Sequence, residues 1–279
     1  MNSLFQKPAR PSVQTSEQIE IRIYNPHVEP TLIYLPGLHG DWTLIGGFRR
    51  ALGSRARFVE VVYPRTLTWS LEQYAQAIET ALERHGISHG WLLGESFGSQ
   101  LVWALAARKT FRFDGFIFAG GFVRHPLPWA VPLAEWLVGN IPDPLLSCTT
   151  FVYAKLLRVR YRRSTDVLET IAEFLGRRTD LDRRAVKHRL RLIRENDLCA
   201  VAERTSGPVF MLSGLWDPIV IWGPVRRWMR QRCPGLREFK ILPGADHNVL
   251  GTASKEAADV ILNWVDVRTN PSKVNPSEV

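Results

Sequence analysis

Short apolar runs that stop at proline or glycine alternate along this chain with longer amphipathic runs, and that alternation limits its fold more than any other feature. Residues 31–35 are apolar and stop at Pro36-Gly37, and residues 58–63 stop at Pro64. Residues 71–85 carry apolar side chains at helical spacing and stop at Gly86. The strand-like run Trp91-Leu92-Leu93 precedes a helical run over residues 99–108, and residues 116–119 then stop at Gly120-Gly121. Strands are expected again at 209–212 and 239–242, and helices at 222–232 and 253–267. Residues 19–24 alternate with period two, the pattern of a half-buried edge strand. Strands alternating with helices predict an α/β fold, a doubly wound, mostly parallel sheet with helices on both faces.

The alternation breaks off between residues 122 and 206, a stretch that reads as mostly helical and opens with Pro126, Pro128, Pro132, Pro142 and Pro144. It is expected to be a helical cap inserted in the core. The expected division is therefore a polar lead-in at 1–18, a core at 19–121 and 207–268, the cap at 122–206 and a flexible tail at 269–279. A chain of 279 residues is long enough to bury a sizeable core. No apolar run approaches the roughly 18–20 residues needed to span a bilayer. The N-terminus lacks the apolar stretch of a secretory signal. Cys148, Cys199 and Cys233 are odd in number, far apart and without CxxC spacing, so neither a disulfide framework nor a metal site is expected. They are read as small core hydrophobes in a cytoplasmic protein.

Within the core, Gly94-Glu95-Ser96-Phe97-Gly98 stands between a strand and a helix. A serine on such a turn is exposed at the end of the sheet in a strained backbone conformation, so the residues two before and two after it must be small. Gly94 and Gly98 meet that demand, which makes Ser96 a candidate nucleophile. Its hydroxyl needs a base, and the base needs an acid to orient it. Asp217, in the loop after residues 209–212, and His247, after residues 239–242, follow in the order Ser, Asp, His. Asp217 also precedes Pro218, where an aspartate often serves a turn. Asp246 adjoins His247 too closely to orient its ring and is expected at the loop surface. The other histidines, His39 apart, stand in polar or helix-end contexts that need no special role. Two backbone N–H groups must face the carbonyl oxygen as it becomes negative. One is expected from Phe97, at the start of a helix. The other is expected from Pro36-Gly37-Leu38-His39-Gly40, with Leu38 the first choice and His39 the second.

Together these motifs resemble the α/β-hydrolase superfamily over roughly residues 32–264, with the cap as the variable part. The resemblance implies the α/β-hydrolase fold and hydrolysis through an acyl-enzyme on Ser96. His247 would act as general base and then general acid, Asp217 would orient it, and the Leu38 and Phe97 amides would hold the oxyanion. Serine at 96 disfavours the branches with an aspartate nucleophile, the haloalkane dehalogenases and epoxide hydrolases. The chain departs from many members in reading Pro36-Gly37 where they read His-Gly.

The expected substrate is a carboxylic ester or thioester with an apolar acyl group, and no cofactor or metal is expected. His39, Trp42 and Trp216 are candidate substrate-binding residues. The apolar stretch at 128–138, with Trp129 and Trp136 near its ends, is expected to pack over the active site rather than on a membrane. Formal charge is +9, and residues 155–194 carry 13 Lys or Arg against 5 Asp or Glu. That run is either a solvated helical face or a surface for an acidic partner, an acyl carrier protein or an anionic surface. The basic residues are not set in a recognisable nucleic-acid-binding fold, so nucleic acid is not an expected partner. The same serine, histidine and aspartate also serve acyltransferases, C–C lyases and peracid-forming enzymes, and a fold of this type can persist in a non-catalytic binding protein.

Overall fold

A computed structural model describes residues 18–141 and 179–269. The lead-in up to residue 17, residues 142–178 of the expected cap (with Cys148 and the basic residues 155–178) and the tail from 270 lie outside the described residues.

Seven strands, β1 (Glu20–Tyr24), β2 (Thr31–Leu35), β3 (Arg57–Val62), β4 (His89–Glu95), β5 (Arg112–Ala119), β6 (Val209–Gly214) and β7 (Leu236–Leu242), form one sheet in the order β1-β3-β2-β4-β5-β6-β7. β1 pairs antiparallel with β3, and every other pair is parallel. The strand order reverses at β2, because the chain steps from β2 outward to β3 and then returns to place β4 on the other side. The crevice beyond the carboxyl ends of β2 and β4 is therefore the switch point where open α/β sheets build sites.

β2 is buried along its whole length and alternates between two cores. Ile33 and Leu35 face one with α2 (Leu71–Arg84) and α3 (Gly98–Arg108), and Leu32 and Tyr34 face the other with α1 (Gly46–Leu52) and α9 (Ser254–Thr269). Ser70 starts α2 with a capping box, its side chain accepting from the Gln73 N–H. α1 was not expected from the sequence. It is seven residues long, opens on two glycines and has no side-chain cap, and burial of Phe48 and Leu52 holds it in place. β5 and β7 begin several residues before their expected starts, since Arg112 and Glu238 sit on ladder positions that hydropathy does not flag, and Asp114 and Arg237 fall at register shifts within the strands.

Between β5 and β6 the described residues form α4 (Ala130–Asn140), α5 (Asp180–Glu195) and α6 (Cys199–Arg204), and α4 packs along α5. α4 buries Val131 and Glu135, while Trp129 and Trp136 are 64% and 60% exposed. Arg191 and Arg194 of α5 meet the Glu135 carboxylate at 3.2 and 2.9 Å on the packed face of α4. The basic run is correspondingly less free than its composition suggests, as Arg183 also donates to the Val138 carbonyl and Arg189 is buried. α7 (Trp222–Arg232) lies between β6 and β7, and the short α8 (Val249–Thr252) precedes α9. Cys233 is buried as expected, whereas Cys199 is only half-buried. Among the described residues no helix is long and apolar enough to cross a membrane.

Candidate active site

Ser96 follows directly on β4 and has φ of +50°, a left-handed conformation that costs free energy for a residue with a Cβ. The glycines around it are there for space. A Cβ on Gly94 would lie 2.7 Å from Val102 Cγ2, and one on Gly98 would lie 2.1 Å from the Leu35 carbonyl oxygen. The small residues expected on either side of the serine are thus required by α3 crossing close over the end of β2. Ser99 also has to be small, because its Oγ is buried and accepts a 3.1 Å hydrogen bond from the Phe122 N–H.

The structure brings Ser96, His247 and Asp217 together. Ser96 Oγ lies 2.9 Å from His247 Nε2, and His247 Nδ1 lies 2.8 Å from Asp217 Oδ2. With Nδ1 protonated and donating to the carboxylate, Nε2 is left to accept from the serine hydroxyl. Asp217 is 5% exposed, and its Oδ1 accepts from the Ile219 and Val220 N–H groups at 2.9 and 2.8 Å. Asp246 is not at the loop surface as expected. It is buried, and its Oδ1 accepts from the Asn248 N–H at 3.0 Å, which shapes the turn that carries His247.

Burial presses the His247 pKa down, but the hydrogen bond and charge of Asp217, with Glu95 and Asp246 nearby, raise it above the ordinary histidine value. Burial pushes the Glu95 carboxyl up to about 6, against the pull of the Tyr34 hydroxyl that donates to it and of His247. Glu95 and Tyr34 had no signal in the sequence beyond sitting at strand ends. His125, set aside on sequence grounds, lies within electrostatic reach of His247 and Asp217, and burial lowers its pKa. Beside it is a cavity of about 340 Å³ lined by Val123, His125, Pro126, Val225, Trp228 and Met229, among others.

Leu38 and His39 lie half-buried in the loop after β2, next to Ser96, because Leu35 pairs with Gly94 in the parallel ladder. A Cβ on Gly37 would lie 3.4 Å from both the Ser96 Cβ and the His39 ring. Gly40 has φ of +79°, and its N–H donates to the Gly37 carbonyl at 3.1 Å, closing the loop into a turn. Phe97 begins the turn into α3, where the first N–H groups have no intrahelical acceptor and the helix dipole favours negative charge. Trp42 is stacked under the Arg22 guanidinium at 3.9 Å, and Trp216 is 61% exposed on the Asp217 loop. No group of three or more His, Cys, Asp or Glu that could hold a metal ion occurs among the described residues.

The sequence matches the α/β-hydrolase fold family over residues 64–253, more than half of its length, and the chain belongs to that family. Solved structures agree on the fold. A hydrolase from Pseudomonas aeruginosa PA01 is similar with a TM-score of 0.73 at 16% identity, covering 88% of this chain and 93% of that one. A thermophilic esterase from Thermogutta terrifontis is similar with a TM-score of 0.70 at 17% identity, covering 90% and 94%. An enol-lactonase from Burkholderia xenovorans LB400 has a TM-score of 0.70 at 18% identity, covering 90% and 96%. No relative was found among curated proteins.

Proposed function

We propose that the protein is a serine hydrolase that cleaves a carboxylic ester or thioester with an apolar acyl group through an acyl-enzyme on Ser96. The observation that carries this reading is the relay of Ser96 Oγ, His247 and Asp217 at 2.9 and 2.8 Å, on a serine strained at φ +50°. Ser96 Oγ attacks the substrate carbonyl carbon while its proton passes to His247 Nε2. Asp217 holds the imidazole by Nδ1 and stabilises its positive charge. The tetrahedral oxyanion is met by the Phe97 N–H and by a second amide, from Leu38 or His39. Collapse breaks the bond to the leaving group, which takes the proton from His247. A water molecule then attacks the acyl carbon, gives its proton to His247 and releases the acid, and the proton returns to Ser96 Oγ.

Apolar substrate groups suit the cavity beside His125, whose lining is mostly hydrophobic. The 122–206 segment would form the cap over this site. An acidic partner of the basic run would meet the exposed Arg191 and Arg194 of α5, which also pair with Glu135.

The test is labelling and turnover. A fluorophosphonate probe is expected to modify Ser96, and Ser96→Ala is expected to lower kcat on p-nitrophenyl esters by about 10⁵- to 10⁶-fold. A wild-type protein that is inert to esters and thioesters of every chain length, and unlabelled at Ser96, would overturn the reading. Product analysis with an added alcohol or amine separates hydrolysis from acyl transfer.

A further inference from the structure

We propose that Arg189 of α5 is a positioning residue for the oxyanion-binding loop, and that it couples the seating of α5 to the geometry of the amides that face Ser96. The inference rests on the hydrolase reading above. In the sequence Arg189 is one more charge on a basic helix, yet in the fold it is 2% exposed. Its Nη1 donates to the Leu38 carbonyl at 2.6 Å and its Nη2 to the Pro64 carbonyl at 3.1 Å, so one guanidinium clamps the loops that follow β2 and β3. It also lies over the Tyr63 ring, 5.4 Å from the centroid. Tyr63 completes the clamp, its hydroxyl donating to the Pro36 carbonyl at 3.0 Å and its N–H to the Gly40 carbonyl at 2.9 Å.

Peptide planarity turns these contacts into control of the site. An amide N–H points opposite to the carbonyl of its own peptide plane. The Gly37 carbonyl, held by the Gly40 N–H, therefore sets the direction of the Leu38 N–H. The Leu38 carbonyl, held by Arg189, sets the direction of the His39 N–H. Both candidate oxyanion donors are thus fixed from behind, one by the turn and one by Arg189. The two holds are in contact, since a Cβ on Gly40 would lie 2.5 Å from Arg189 Nη1.

Charge adds to the geometry. Among the described residues the acceptors that hold Arg189 are backbone carbonyls rather than a carboxylate, and its buried Nε has no hydrogen-bond partner. A buried cation held only by dipoles is costly to fold. Behind a loop where negative charge develops, its field favours the charged intermediate. Lysine cannot replace it, because a single ammonium does not reproduce the planar fork that spans two carbonyls.

The experiment compares Arg189→Gln, Arg189→Lys and Gly40→Ala with wild type, and uses Arg184→Gln on the exposed face of α5 as a control. In the two Arg189 variants and Gly40→Ala, kcat on a p-nitrophenyl ester is expected to fall about 10- to 100-fold, the cost of a small misplacement of donors. KM should change little, and fluorophosphonate labelling of Ser96 should slow in step with kcat. Arg184→Gln should match wild type. Guanidinium ion added to Arg189→Ala should restore part of the rate. Hydrogen exchange of the 38–40 amides should rise in Arg189→Gln even on a Ser96→Ala background, a readout that needs no chemistry. Arg189→Lys keeps the charge and serves if Arg189→Gln does not fold. Wild-type kcat in the Arg189 variants, or unchanged exchange at 38–40, overturns the inference. Raised exchange in a protein that never labels at Ser96 would support the anchoring and sink the hydrolase reading instead.

Discussion

Asp217 carries two loads at once. One carboxylate oxygen ties the turn through the Ile219 and Val220 amides, and the other holds His247. The sequence offered a turn residue before Pro218 and a candidate acid as competing readings, and the geometry has room for both because a carboxylate has two oxygens to give. A pH prediction follows at this scale. The proposed mechanism needs His247 neutral at Nε2, and its pKa is raised above the ordinary value. The acid limb of kcat/KM is therefore expected to have its midpoint above about 6.5. Glu95 is one of the negative groups that raise it, so Glu95→Gln should move that limb to lower pH. A limb that stays in place in the variant would show that Glu95 does not act on His247. Ser96, Asp217 and His247 could be read from the sequence because each follows a strand at a loop, in a fixed order. Glu95 could not, because its state depends on Tyr34 and on burial, neither of which is local.

At the scale of elements, the turn into α3 is the tightest point of the fold. A Cβ on Gly98 would press on the Leu35 backbone at 2.1 Å, and backbone there cannot give way without shifting β2. Gly98→Ala is expected to lose about 1–3 kcal/mol in urea unfolding, the range for forced overpacking of a core. Gly223→Ala in α7, with no heavy atom within 4 Å of its Cβ position, is the matching control and should change stability by less than about 0.5 kcal/mol. Equal losses at the two sites would contradict this account of the elbow. Strands with apolar runs were legible because period and hydropathy are local. α1 was not, since its glycine start hides a helix that tertiary burial of Phe48 and Leu52 selects. The orientation of α4 was not legible either. Its hydropathy favours burying the tryptophans, whereas the folded helix buries Glu135 against Arg191 and Arg194.

Over the whole molecule, α5 is fastened to the core by polar links to the loops after β2 and β3. Asp182 pairs with Arg65, His188 Nε2 lies 2.8 Å from the Trp69 carbonyl, and Arg189 reaches Leu38 and Pro64. Burial raises the Asp182 pKa, but hydrogen bonds from Thr179 and Arg65 outweigh it and hold the value below the ordinary 3.8. Glu135 is likewise lowered from 4.5, by Arg194 and Arg191 against its burial. For both groups the folded pKa is the lower one, so their stabilisation is present above the unfolded value and is lost as pH falls through the folded value. Glu95 has the opposite sign, its pKa raised from 4.5 to about 6, so its cost appears as pH rises through that window. Acidification below about pH 4 is therefore expected to loosen α4 and α5 before the sheet. Hydrogen exchange resolved by segment would check this, and simultaneous loss of α5 and β4 protection would refute it.

What the sequence determined by itself was local in origin: strands and helices from hydropathic period, the elbow from glycines around Ser96, and the order of Asp217 and His247 from loops after strands. The tertiary structure alone decided the rest. It put Arg189 behind Leu38, 151 positions away, gave Glu95 its neighbours and set Glu135 of α4 against Arg191 and Arg194. A charged side chain reads the same in sequence whether it meets water or a buried carbonyl, and only the folded packing around it settles which.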